Sequence, residues 1–308
     1  MQQNGSLTDY SPASHETGSS WSILSPIELS IKRKIEAVGK PLKDWDIKIY
    51  RGILTGCNEA FIIDGAKREE ILNKCRSAAE RERTDALIRP ILRGRDIKRY
   101  KAEWAGLYVI LAKFGSHHYL EKDYPAIFNH LLQYEDKLKS RGQVRYTSSK
   151  KVREGAEYPG QHHWLELDNN PCDKYLEDFL KQKIVWAEMT NAPKFVLDND
   201  CMFIDNTEYF LTGDNLEYIV CILNSKLYTW LFDKICAKGM GARKWRKQYV
   251  EVLPIPKPDC KTLFTFNDLY KTRTESTDLI IEDTIAQMLH LTSQEKLYIR
   301  SLALQGFD

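Results

Sequence analysis

The chain has 308 residues, 43% hydrophobic and 29% charged, with a formal net charge of +2. That mixture supports a buried core and one large domain or two smaller ones, and it excludes both a disordered chain and a mini-protein. No run approaches the ~18 uncharged apolar residues of a membrane span, and the first twenty residues lack the basic start and apolar centre of a signal peptide, so no membrane role and a cytoplasmic location are expected. Seven scattered cysteines without a Cys-x-x-Cys pair predict reduced thiols rather than a disulfide framework or a zinc knuckle.

Residues 1–20 are rich in Ser, Thr, Gly and Asn and predict a flexible arm, because they bury too little to offset their ordering entropy. Residues 21–44 hold a connecting helix. It starts at Ser25-Pro26-Ile27-Glu28, an N-cap followed by proline at the first helical position and a capping-box glutamate. Ile27, Ile31, Ile35 and Val38 then recur at helical spacing until Gly39. From Trp45, short apolar runs between turn residues predict strands at 47–50, 60–63, 107–112, 183–188, 195–197, 202–204 and 209–211. Helices at 67–83 and 125–140 interrupt them, the second with a stripe of Ile127, Leu131, Leu132 and Leu138. A stronger helix is predicted from Asp214, with Leu216, Ile219, Val220, Leu223, Leu227, Trp230 and Leu231 along one face and a stop at Lys238-Gly239. The alternating prolines 254, 256 and 258 forbid a helix, after which Leu279, Ile281, Ile285, Met288 and Leu289 mark a helical tail over 256–308. Thr292-Ser293-Gln294-Glu295 caps its last helix. The fold class is therefore α/β of an α+β-like kind, a β-rich domain at 45–255 with peripheral helices and a helical tail.

The near-neutral total hides an asymmetry. Residues 274–308 hold six acids against two bases and residues 1–20 two acids and no base, which leaves 21–273 at +8. The excess is concentrated in three clusters: 139–153 has six bases and no acid, 238–248 has five and none, and 89–101 has six against Asp96 alone. One such run is ordinary solvated surface; three with interleaved aromatics suit a polyanion. Tyr100, Trp104, Tyr146, Trp245 and Tyr249 lie in these surroundings, suited either to core packing or to base stacking.

Catalytic signatures are sparse. No two prolines are adjacent, so the Pro-Pro loop with which amino-methyltransferases hold a flipped base is absent, and no Gly-rich loop follows a strand. Gly239-Met240-Gly241 follows a helix and reads as a turn. Asp44 with Asp46-Ile47-Lys48 is a weak match to a nuclease carboxylate cluster. The pairs His117-His118 and His162-His163 are expected to hold no metal, because adjacent side chains on a strand point to opposite faces.

The run Tyr50-Arg51-Gly52-Ile53-Leu54-Thr55-Gly56-Cys57-Asn58-Glu59-Ala60-Phe61-Ile62-Ile63-Asp64 resembles the opening of the TaqI-like C-terminal specificity domain of type IIG restriction–modification enzymes and related adenine methyltransferases. Ile88-Arg89-Pro90-Ile91-Leu92-Arg93-Gly94-Arg95-Asp96-Ile97-Lys98-Arg99-Tyr100 resembles the second signature of that family. Residues 209–211 with Ile222-Leu223-Asn224-Ser225-Lys226-Leu227, then Leu253-Pro254-Ile255-Pro256, then the helices around 281–295 follow in the family's order. The resemblance implies a noncatalytic target recognition domain that reads duplex DNA. S-adenosylmethionine and adenine methylation would belong to a separate methyltransferase domain or subunit, the expected partner, and this chain would need no cofactor.

On that basis phosphate contacts are expected from Arg93, Lys98, Lys139, Arg141, Lys150, Lys151, Lys244 and Lys247, and base readout from Arg145, Tyr146, Arg243, Trp245 and Arg246. Arg95 is expected to be held by Asp96 as internal scaffolding. Two other classes remain as alternatives, a protein-interaction module that docks a methyltransferase or defence complex and a metal-dependent nuclease.

Overall fold

The computed structural model describes residues 24–235, 243–304 and 307. The predicted arm at 1–20, the stop at Lys238-Gly239 and the Gly239-Met240-Gly241 turn lie outside the described residues.

At the centre is a four-stranded antiparallel sheet in the order Phe195–Asp198, Lys183–Ala187, Glu208–Gly213, Ile47–Arg51. Successive side chains on a strand point to opposite faces, and here both faces are covered. Ile49, Ile184, Trp186, Phe195, Leu197, Tyr209 and Leu211 face one core, while Val185, Val196 and Phe210 face another. This double burial is why the central strands read as continuous apolar runs.

The first core is closed by helices. Pro26–Val38 contributes Ile31 and Ile35, Leu216–Leu223 and Lys226–Ile235 contribute most of their residues, and the tail helices Cys260–Lys271, Glu275–Met288 and Ser293–Ser301 add Phe266, Ile281, Ile285 and Ile299. The second core lies against a smaller sheet ordered Phe203–Ile204, Ile88–Leu92, Leu107–Ile110, Ile62–Asp64, in which only the first pair is parallel. Ile127, Leu131 and Leu138 cover it from the helices Pro125–Leu132 and Glu135–Lys139.

Between the sheets the chain passes through Gly52. A Cβ there would lie 2.0 Å from the Asp205 carbonyl oxygen, so glycine is required for the Ile53–Asp205 bridge to form. Opposite strands also share a buried ion pair: Lys183 and Asp198 are paired in register, and the Lys183 ammonium also donates to the Phe179 carbonyl at 2.7 Å.

The caps expected at Ser25/Glu28 and Thr292/Glu295 are both present as reciprocal boxes. Elsewhere the structure departs from the expectation. The 67–83 helix is two helices, Gly65–Asn73 and Ala78–Leu87, because the Ser77 side chain caps the second at Glu80. The 125–140 helix breaks between Leu132 and Glu135, and residues 58–61 are a helical turn leading into the strand Ile62–Asp64. The helix expected from Asp214 begins at Leu216 and is interrupted at Asn224-Ser225. There Asn224 pairs with both backbone groups of Phe195, the Ser225 hydroxyl accepts from the Tyr228 amide, and the Glu282 carboxylate caps Lys226. In the tail, Ile281, Ile285 and Leu289 are buried as expected but Leu279 is 61% exposed. The strand Ile88–Leu92 and the helix Cys260–Lys271 add to the predicted set.

Candidate nucleic-acid interface

Arg141 follows the helix Glu135–Lys139 and is buried. Its guanidinium donates to Asp168 Oδ1 at 2.8 Å and to the carbonyls of Leu138, Thr55, Trp164 and Glu166 at 2.7–3.1 Å. His162 Nε2 reaches the same Asp168 oxygen at 3.1 Å. Gly56, at φ +68°, lies so close that a Cβ would meet the Asp168 carboxylate at 2.4 Å. Burial pushes the Arg141 pKa down from its ordinary value, with Asp168 opposing the shift. The expected phosphate contact at Arg141 is thus corrected: all this donor capacity is spent inside the protein, tying the 55–58 loop to the 162–168 segment.

The residues after Arg141 are different. Arg145 is exposed, with its guanidinium 5.1 Å over the half-buried Tyr146 ring, and a turn closed by Thr147 and Lys151 presents Lys150 and Lys151 to solvent. Lys150 has φ +58°, the left-handed backbone of a tight turn. The loop returns at Gly160, where a Cβ would lie 2.2 Å from the Gln143 carbonyl oxygen, so its two ends are pinned together. Lys139 is exposed but paired with Glu135 at 2.5 Å and lies over the Trp164 ring.

In the other acid-free run the expectation is corrected twice. Arg243 is buried and grips Asp233 with two hydrogen bonds of 2.6 and 2.8 Å while donating to the Asn191 carbonyl. Trp245 is 1% exposed, stacked on Phe232 at 3.8 Å and edge-on to Phe195. Trp245 serves the first core and Arg243 is committed to its internal partners, so neither is presented to a base. Arg246 remains at the surface. Its Nε donates to Glu188 Oε1 at 2.7 Å, while Arg51 donates to Glu188 Oε2 at 2.6 Å, so one carboxylate aligns two arginines at the end of the central sheet. Lys244 is half-buried beside them and Lys247 exposed.

The Arg93–Lys98 turn also differs from expectation. Asp96 accepts from the Arg93 amide at 2.9 Å instead of holding Arg95, which is exposed. Lys98 folds back onto the Arg95 carbonyl at 2.8 Å. Under this turn Glu208 is fully buried, and burial together with the Asp205 charge pushes its pKa up to about 9.

The segment that carries these loops, residues 89–255, matches the model of the TaqI-like C-terminal specificity domain. This chain belongs to the TaqI-like specificity domain family. Solved structures share the fold, two restriction enzymes among them. The type IIG restriction endonuclease BpuSI aligns over 89% of this chain with a TM-score of 0.54 and 12% identity. The type IIL restriction–modification enzyme MmeI, solved in complex with DNA, aligns over 85% with a TM-score of 0.52 and 9% identity. The chain spans about a third of each, 31% and 37% of those chains. Among curated proteins none matches. The run Tyr50 to Asp64, expected to open the domain, lies before the matched span; it builds the sheet edge and the loop tied down by Arg141.

Some residues of this TaqI-like domain carried no local signal in the sequence. Arg51 and Arg246 meet through Glu188 from positions far apart in the chain, and Arg141 looks like any other base in its run. The histidine expectation rested on a strand that is not there: His117 and His118 lie in a 3-10 turn, Ser116–His118, with Glu157 beside them. His162 and His163 do diverge, the first towards Asp168 and the second stacked on His117. Asp44 and Asp46 are exposed and, among the described residues, belong to no trio of metal-ligating side chains. No described helix is long and apolar enough to cross a membrane.

Proposed function

We propose that this chain reads a short duplex DNA sequence as the specificity domain or subunit of a type II restriction–modification system and performs no reaction itself. The observation that carries this reading is the family match over 89–255, a span that includes a pinned loop with Arg145, Tyr146, Lys150 and Lys151 at its outer edge. Lysines there suit phosphates, and Arg145 on this loop, like Arg246 at the end of the central sheet, suits base edges or a groove. The recognition unit is residues 45–255, and the flanking helix and tail close its first core. S-adenosylmethionine belongs to the separate methyltransferase domain or subunit with which the chain works, in the cytoplasm.

Exposed Phe264, Leu279, Ile280 and Leu297 on the tail helices favour a docked protein neighbour as well, so DNA and methyltransferase would use different surfaces. The deciding experiment is selection from a random duplex library by the purified chain, followed by titration of the selected and a scrambled duplex at several salt concentrations. Preference for one duplex with a steep salt slope is expected. Equal, weak binding of both duplexes would refute sequence reading, and magnesium-dependent cutting by the pure chain would refute the noncatalytic role.

A further inference from the structure

A group of side chains outside the proposed DNA contacts has the composition of a metal site. Gly115 at φ +85° starts the 3-10 turn that carries His117 and His118. Glu166, fully buried, holds that turn: one of its oxygens accepts from the Gly115 amide at 2.7 Å and lies 2.5 Å from His117 Nδ1, and the other accepts from the His163 amide at 3.2 Å. Such a contact places the imidazole proton on Nδ1 and leaves the Nε2 lone pair outward. Outward lies another acceptor, Glu157 Oε1, at 3.0 Å. His118 Nδ1 stands 3.8 Å from the same oxygen. The three ligand atoms lie within 4.8 Å of one another, so three electron-pair donors converge on a space that calls for a cation.

We propose that His117 Nε2, His118 Nδ1 and a Glu157 carboxylate oxygen bind one zinc ion, with water completing a tetrahedron. Two imidazoles and one carboxylate suit zinc and its borderline neighbours rather than magnesium or calcium, which prefer oxygen alone. The buried Glu166 is the positioning residue that orients His117, as carboxylates do behind metal-bound histidines. A proton on Nε2 would satisfy Glu157 equally well, but it gives no role to His118. Glu157 lies on the loop that carries Lys150 and Lys151 while both histidines lie on the body, so the ion ties the exposed loop down.

The test uses the full chain and zinc chloride. Calorimetric titration should give one zinc per chain at micromolar affinity or tighter. His118→Ala and Glu157→Gln alter exposed side chains and so keep the fold, checked by an unchanged urea midpoint without metal. Each should weaken zinc at least tenfold, and the double variant should abolish the site. Cobalt should give the spectrum of a tetrahedral nitrogen–oxygen site without a sulfur charge-transfer band, and zinc should slow proteolysis within 147–158 in the wild type alone. Equal zinc affinity in wild type and double variant, or no binding, overturns the proposal. None of these readouts uses DNA, so failure here and failure of the DNA reading are distinct results.

Discussion

Arg141 separates a structural guanidinium from a DNA-contacting one by a measurable margin. Replacing it with methionine keeps much of the aliphatic volume but removes five hydrogen bonds, to Asp168 and to the carbonyls of Leu138, Thr55, Trp164 and Glu166. Deleting one partner of a buried ion pair costs ~3–5 kcal/mol, because the remaining charge stays desolvated. His162 still faces Asp168, and the carbonyl of Trp164 lies near enough to the surface to find water. A loss of about 4 kcal/mol is therefore expected, a large part of the ~5–15 kcal/mol typical of a folded protein. Urea unfolding of Arg141→Met at neutral pH, followed by circular dichroism, reads this as a lower midpoint at constant slope. DNA affinity measured well below that midpoint should keep the wild-type salt slope. A variant that lost less than about 1 kcal/mol of stability yet bound DNA with a shallower slope would refute the buried-anchor reading and restore Arg141 as a phosphate contact.

Lys150→Ala with Lys151→Ala should leave stability unchanged and weaken binding to all duplexes alike, reducing the log–log salt slope by up to about 2, roughly one per phosphate contact. Arg243→Ala should lower the urea midpoint, at a cost of about 2–3 kcal/mol, because it removes the buried guanidinium that donates two hydrogen bonds to Asp233 and one to the Asn191 carbonyl, whereas Arg246→Ala should keep the urea midpoint and lower affinity for the selected duplex by on the order of tenfold, with less effect on a scrambled one; equal losses on both duplexes would count against base readout by Arg246. Glu208 predicts a pH dependence: burial raises its carboxyl from 4.5 to about 9, so its protonated form belongs to the folded state. The stabilisation is complete below 4.5 and is lost as pH rises from 4.5 towards 9, amounting to about 3 kcal/mol by pH 7. Glu208→Gln should therefore raise the urea midpoint at pH 8 and change it little at pH 4.5; a lower midpoint at pH 8 would show that the carboxylate is ionised and paired in the folded protein.

What the amino-acid sequence determines by itself here is what neighbouring residues settle among themselves. The boxes at Ser25/Glu28 and Thr292/Glu295 close within three residues, so they are legible without the fold. The strands at 183–187 and 195–198 are legible because a sheet buried on both faces needs apolar residues at every step, and the proline-broken exit at 254–256 pairs as an extended strand with Gly39–Pro41. The family signatures at 88–100, 209–227 and 253–256 are local as well, and they fall in or at the edge of the match over 89–255 that shows the membership. Tertiary structure decided the rest. The helix break at Asn224 depends on Phe195 and Glu282, each distant in the chain, and no spacing rule sees them. Arg141 and Lys150 belong to one acid-free run, yet Thr55 and Asp168 draw the first inside and leave the second in water. Trp245 and Arg246 are adjacent, and Phe232 takes the ring into the core while Glu188 keeps the guanidinium at the surface. A cationic or aromatic side chain carries no mark of its destination, because burial is set by partners that only folding brings within reach.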